Sequence, residues 1–190
     1  MRSDTVLNTN ERQIRTINLV VLIGIALMMM VAIYSYEAEA TPVDTQDSTF
    51  ASKAAAGGTA QVELGKLAQQ TGSIELVQSF GQRMVADYTA AGTQLKNAAQ
   101  KENTILPLDM SSEDRALYDR LSQLSGPAFD KEYARAMVKG HEQVLAEFEQ
   151  EVTNGKNETI KQFAVQTLPI IMQHLKLARE MEKAASGTDK

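Results

Sequence analysis

The chain has no cysteine and no tryptophan, and only four prolines and two histidines among its 190 residues. The missing cysteine excludes disulfides, thiol catalysis, thiolate metal sites and a lipidated N-terminal cysteine. Scarce proline leaves long Ala-, Leu-, Gln-, Glu- and Lys-rich stretches free to run as helix. Positive charge is also short: 19 Lys and Arg stand against 24 Asp and Glu, for a net charge of −5 and a pI near 5.1. Without a basic stripe, or Arg and Lys interleaved with aromatics, no nucleic-acid partner is expected. A Gly-rich phosphate loop, a nucleophile elbow and a histidine-based zinc motif are all missing. The expectation therefore leans away from an enzyme. Period-two alternation, the mark of half-buried strands, is absent as well.

What the chain does have is one long apolar run, Leu19 to Ile33. Arg12 and Arg15 precede it, and Glu37, Glu39, Asp44 and Asp47 follow it. That asymmetry holds the N-terminus inside the cell and sends the rest across the membrane. The run is apolar all round, which argues against a buried core helix. Two readings stay open. As a signal peptide, it ends at Ala38-Glu39-Ala40 and is cleaved before Thr41. As a retained anchor, Ile17 to Tyr34 spans the bilayer, with Tyr34 and Tyr36 at the interface. Either way the rest of the chain is expected in the periplasm, soluble or tethered to the inner membrane. Its expected partners are an unidentified envelope component and, if the anchor is kept, the membrane. The expected organisation is an n-region (1–16), the export or anchor helix (17–36), a linker (37–48), a helical domain (49–185) and a tail (186–190).

The mature region, with 43% hydrophobic residues over the whole chain, is large enough for one core. Asp47 or Ser48 is expected to cap a first helix that runs to Gln70, with Phe50, Ala54, Gly57, Leu64 and Ala68 on one stripe. Its small residues Ala54–Gly58 are expected to let a neighbouring helix approach closely. Ser73 opens a second helix with the stripe Leu76, Phe80, Met84, Tyr88, Ala91, Leu95 and Ala98. After a loop from Asn103 to Leu108, Ser111 or Ser112 caps a short helix from Glu113 to Leu124. Pro127 sits at the start of the next long helix, whose inward residues are Tyr133, Met137, Val144 and Phe148. Asn154-Gly155 stops it. The last helix, from about Asn157 to Ala185, carries Ile160, Phe163, Thr167, Ile170, Ile171, His174, Ala178 and Met181. Pro169 lies inside it and is expected to kink it. The pattern predicts an all-α fold: an antiparallel four-helix bundle with one short extra helix, preceded by the export or anchor helix.

Two helices share a pattern at one offset of 53 residues: Phe80, Met84, Val85 and Tyr88 match Tyr133, Met137, Val138 and His141. Such a repeat either sets similar side chains across the core or reflects a common packing period. His174 falls in the middle of an apolar stripe, and His141 lies toward the edge of its own. With Gln61 and Tyr88 they make one polar group per helix, able to form a single layer in the bundle interior. A hydrogen-bonded core network without cofactor is the expected state of that layer. The alternative is a metal site: copper or iron on His141 and His174, with Gln61, Tyr88, Met84 and Met137 as neighbours. Iron sites in bundles favour carboxylates and Glu-x-x-His, yet Val138 and Ile171 stand three residues before the histidines. Two imidazoles with a methionine suit copper better. Asp87 reads either as an acceptor behind that layer or as a charged helix edge.

Phe50-Ala51-Ser52-Lys53-Ala54-Ala55-Ala56-Gly57-Gly58 and Val62-Glu63-Leu64-Gly65-Lys66-Leu67-Ala68 resemble the first helix of a bacterial domain-of-unknown-function family. That family is numbered four-one-four-two and often labelled an outer-membrane protein. Phe80-Gly81-Gln82-Arg83-Met84-Val85-Ala86-Asp87, Phe129-Asp130-Lys131-Glu132-Tyr133, Ala136-Met137-Val138, Thr167-Leu168-Pro169 and His174-Leu175 extend the resemblance across Phe50 to Met181. It implies a ferritin-like four-helix bundle, exported by bacteria, without an established activity. It also implies Glu where Gln61 stands, His where Tyr88 stands and an acidic residue where Gly140 stands, while His141 and His174 match. Any metal site of the family at this layer is then lost or weakened in this chain.

Overall fold

The structure of the chain, a computed structural model, describes residues 46–187. The expected export helix (17–36) lies outside the described residues, as do most of the 37–48 linker and the last three residues of the tail. The described residues hold five helices: α1 (Gln46–Thr71), α2 (Glu75–Lys101), α3 (Ser112–Leu121), α4 (Gly126–Asn154) and α5 (Glu158–Gly187). Among those residues there is no strand, and no helix is long and apolar enough to cross a membrane.

The helix ends follow local chemistry. Ser111 caps α3: its Oγ accepts from the Asp114 amide at 3.0 Å and donates to the Asp114 carboxylate at 2.7 Å. This satisfies an orphan donor of the first turn. Asn157 caps α5 by accepting from the Ile160 amide at 3.0 Å. Gly126 enters α4 at φ 56°, a backbone conformation that glycine adopts freely, and Pro127 occupies the first turn. Ser73 lies just before α2, whose N-cap is Ile74, and its amide and hydroxyl go to Asp130. Asp47 lies inside α1, and its carboxylate serves another element. Helix α5 continues through Pro169. The carbonyl deprived of a donor there belongs to exposed Val165, where water can bond it.

Helices α1 and α2 form one hairpin and α4 and α5 a second, with α2 packed on α5 and α1 on α4. The hairpins are tied at both ends. At one end the Ser73 amide donates to Asp130 at 2.9 Å. At the other, Asp47 accepts from the amides of Lys156 at 2.8 Å and Asn157 at 3.0 Å. Glu102 accepts there from the Asn157 side chain at 2.6 Å. These ties make α4 parallel to α2, and residues 102–125, with α3, return the chain along the bundle.

Where the sequence places a close helix approach at Ala54–Gly58, the structure places it one region later. A Cβ on Gly65 would lie 2.7 Å from the Gly81 carbonyl oxygen, and one on Gly81 would lie 2.6 Å from that of Gly65. A Cβ on Gly57 would meet nothing within 4 Å. The stripes depart at two positions. Leu76 is exposed with Val77 buried beside it, and of the adjacent stripe residues Ile170 and Ile171 only Ile171 is buried.

The apolar interior falls into two clusters. One gathers Leu64, Phe80, Met84, Phe129, Tyr133 and Met181. The other gathers Phe50, Leu95, Phe148, Ile160, Phe163 and Ile171. Tyr88 packs against both, which places its helix position between them. Each fully buried large side chain contributes roughly 1.5–3 kcal/mol, so the clusters form the main attraction between the hairpins.

Candidate functional site

Between the two clusters lie the polar side chains that the sequence marks. His141 and His174 are 0% and 1% exposed. Their ring centroids are 5.5 Å apart and nearly perpendicular, inside the span that two imidazoles sharing one ion can bridge. The Tyr88 ring lies 6.1 Å from His141 and 5.5 Å from His174, centroid to centroid.

Each imidazole is held through one nitrogen. His141 Nδ1 donates to the Met137 carbonyl at 2.8 Å. Its Nε2 is then the acceptor of a hydrogen bond donated by the Tyr88 hydroxyl at 3.2 Å. His174 Nε2 donates to the Asp87 carboxylate at 2.8 Å. That leaves His174 Nδ1 as a bare lone pair, buried and without a partner. Asp87 is therefore the acceptor behind the layer, the first of its two sequence readings.

Burial sets the charge state. Loss of water lowers His141 to about 4, helped by nearby His174 and opposed by the Met137 carbonyl. Burial also lowers His174, and the Asp87 carboxylate opposes it. Burial raises Tyr88, and Asp87 raises it further. At neutral pH the layer is thus two neutral imidazoles and a neutral phenol.

The other predicted neighbours divide. Met84 and Met137 are buried in the first cluster, and Met137 gives the layer its backbone carbonyl. Gln61 is buried, with Oε1 unpartnered. With Tyr88 and Thr167 it lines a groove of about 1060 Å³ bounded by α1, α2, α4 and the 104–114 stretch. No three His, Cys, Asp or Glu residues converge as a metal cluster among the described residues; Tyr88 is the side-chain oxygen bonded to His141.

The 53-residue repeat has a physical meaning here. Phe80 meets Tyr133 with ring centroids 6.2 Å apart, and Tyr88 bonds His141. Both pairs are separated by 53 positions, as parallel α2 and α4 require. A model described as domain of unknown function, DUF4142, matches residues 35–181. The chain belongs to that family. No curated protein matches it, and no solved structure does. In this DUF4142 member, Gly140 borders the groove one residue before His141, and a Cβ there would meet nothing within 4 Å.

Sequence reasoning missed three polar features of the DUF4142 domain. The Ser73–Asp130 tie joins segments 57 positions apart, and no local pattern signals such a pair. The pairing of Asp47 with the turn before α5 is hidden for the same reason. The third is Glu151, only 1% exposed. Burial and a bond to Asp47 push its carboxyl up to about 7. Its place on a helix otherwise rich in exposed Glu concealed it.

Proposed function

We propose that this chain is an exported protein of the bacterial envelope that works by binding rather than by catalysis, with its four long helices in a ferritin-like arrangement. The observation that carries this reading is the bonding of His141: both ring nitrogens are engaged within the fold. A general base needs a free nitrogen within reach of substrate; the free nitrogen of the layer, His174 Nδ1, sits on a side chain 1% exposed that does not border the groove, and among the described residues neither Ser nor Lys bonds the layer as an activated nucleophile. The apolar run with Arg12 and Arg15 before it supports export to the periplasm. The protein is either cleaved after Ala40 or kept as an inner-membrane anchor that faces an envelope partner. Mass spectrometry of the N-terminus from fractionated cells tests the location. A start at Thr41, or an intact chain in the inner membrane, is expected. An intact chain in the cytosol overturns export.

A second reading is favoured by one feature of the same layer. Each imidazole is anchored to an oxygen acceptor through one nitrogen, as metal-bound imidazoles usually are. His141 Nε2 and His174 Nδ1 would be the ligands, and a shift of Tyr88 would free the first or add the phenol as a third. Two imidazoles and a phenol fit copper better than a carboxylate-rich iron pair. Metal analysis of the purified protein separates the two readings. The binding-only reading expects no stoichiometric metal. Copper or iron at one equivalent, lost in His174→Ala, replaces it with the second.

A further inference from the structure

We propose that Asp47 and Glu151 form a proton-operated clasp. With one proton shared between the two carboxyls, the first turn of α1 is held on the turn between α4 and α5; loss of that proton releases it. The clasp works whether or not the histidine layer takes a metal.

Both carboxyls are buried, Asp47 at 3% and Glu151 at 1% exposure. Asp47 Oδ1 accepts from the Lys156 and Asn157 amides at 2.8 and 3.0 Å, which favours its ionised form. Gln46 beside it donates to the Gln150 carbonyl at 3.3 Å and to Glu151 Oε2 at 3.2 Å. The Glu151 carboxyl bonds that of Asp47. Two carboxylates only accept, so such a bond needs a proton on one of them. Glu151 Oε1 is the buried oxygen left without a donor, and a proton there turns a stranded acceptor into a donor.

Gly155 lets the backbone close on this carboxyl: a Cβ there would lie 2.5 Å from both the carbonyl oxygen and Oε1 of Glu151. A metal ion would need more ligand oxygens than the pair supplies, and no three His, Cys, Asp or Glu residues converge among the described residues. The particle that fits is a proton.

The surrounding charges leave the proton in place. Lys161 of α5 donates to the Gly155 carbonyl at 3.5 Å and favours the ionised form of Glu151. Lys53 of α1 and Glu147 of α4 satisfy each other at 3.3 Å, and Glu102 of α2 is engaged by Asn157 at 2.6 Å. Glu149, Lys156 and Glu158 are exposed. Burial, followed by the Asp47 bond and charge, prevails over Lys161 and raises the Glu151 carboxyl to about 7, so release falls near neutral pH. It is also local. One turn further along α1, Phe50 packs edge-on to Phe148 at 4.9 Å and against Phe163 at 6.4 Å between centroids. That apolar anchor carries no charge to titrate, so opening stops at the first turn, where residues 1–45 join the bundle.

The test is amide hydrogen exchange, followed by NMR on the full purified chain in detergent micelles. Protection is taken relative to the unstructured rate at each pH. The Lys156 and Asn157 amides, which Asp47 holds, should lose about tenfold or more in protection between about pH 5.5 and 8.5. The Ser73 amide, held by Asp130 at the other end of the bundle, should keep its own. Glu151→Gln is neutral at every pH and can donate to Asp47 through its amide. It should hold the two amides protected at the upper pH. Unchanged protection of both amides in the wild type overturns the clasp. Equal losses at the two ends of the bundle overturn its local action. A Glu151→Gln chain that loses protection as the wild type does overturns the role of the proton. Should that variant fail to fold, the wild-type contrast between the two ends decides.

Discussion

His141 and His174 look alike in sequence, but their bonding makes them unequal. Replacing His141 with Leu strands the Tyr88 hydroxyl, at a cost of about 1–3 kcal/mol, and removes the imidazole bond to the Met137 carbonyl, which keeps its helical amide donor. His174→Leu removes an already unpartnered Nδ1, and its partner Asp87, about a third exposed, can turn to water. Urea unfolding should therefore show His141→Leu losing about 2 kcal/mol or more, and His174→Leu within about 1 kcal/mol of wild type. The reverse order would contradict the bonding described here. The burial of both rings was legible because each lies on a helical stripe. Their inequality was not, since it depends on Asp87 reaching His174 from another helix and on Met137 offering a carbonyl one turn back.

At the level of the helices, two kinds of glycine make opposite predictions. Gly65→Ala and Gly81→Ala each force a methyl against the facing backbone carbonyl. Backbone cannot swing aside as a side chain can, so each should cost about 1–3 kcal/mol. Gly57→Ala meets open space and should gain roughly 0.5–1 kcal/mol, because alanine is the better helix former. Thermal unfolding of the three variants checks the contrast, and a stabilised Gly65→Ala would place the α1–α2 crossing elsewhere. Ser111→Ala should cost about 1 kcal/mol through loss of the α3 cap. The helices themselves were legible from periodicity and punctuation, and their starts came within a few residues. The site of close approach was not, because a cluster of small residues in sequence does not say whether a helix or open space faces it.

At the scale of the whole molecule, two tied hairpins enclose two apolar clusters with a neutral polar layer between them. The family assignment and the all-α fold were legible from residues spread over the whole domain. The groove and the end ties were not, since both arise only when distant segments meet. Stability should follow pH in two opposed ways. Glu151 keeps its proton to about 7 when folded, against an ordinary value of 4.5, so its contribution is full below that ordinary value and fades as pH rises toward 7. Asp47 faces it across the bond and Lys161 opposes the shift. His141 accepts a proton only near 4 when folded, against 6.5 ordinarily, so its contribution is intact above 6.5 and fades as pH falls toward 4. Glu151→Gln should flatten the first limb, giving a larger stability gain at pH 8 than at pH 5 in urea titrations. A pH-independent difference would remove Glu151 from that role. The most direct test of the central layer is an NMR titration of the two imidazoles. Two neutral rings are expected at pH 7 with opposite tautomers, Nδ1–H on His141 and Nε2–H on His174, with His141 protonating only near pH 4. Two rings titrating together near the ordinary histidine value of about 6.5 would contradict it.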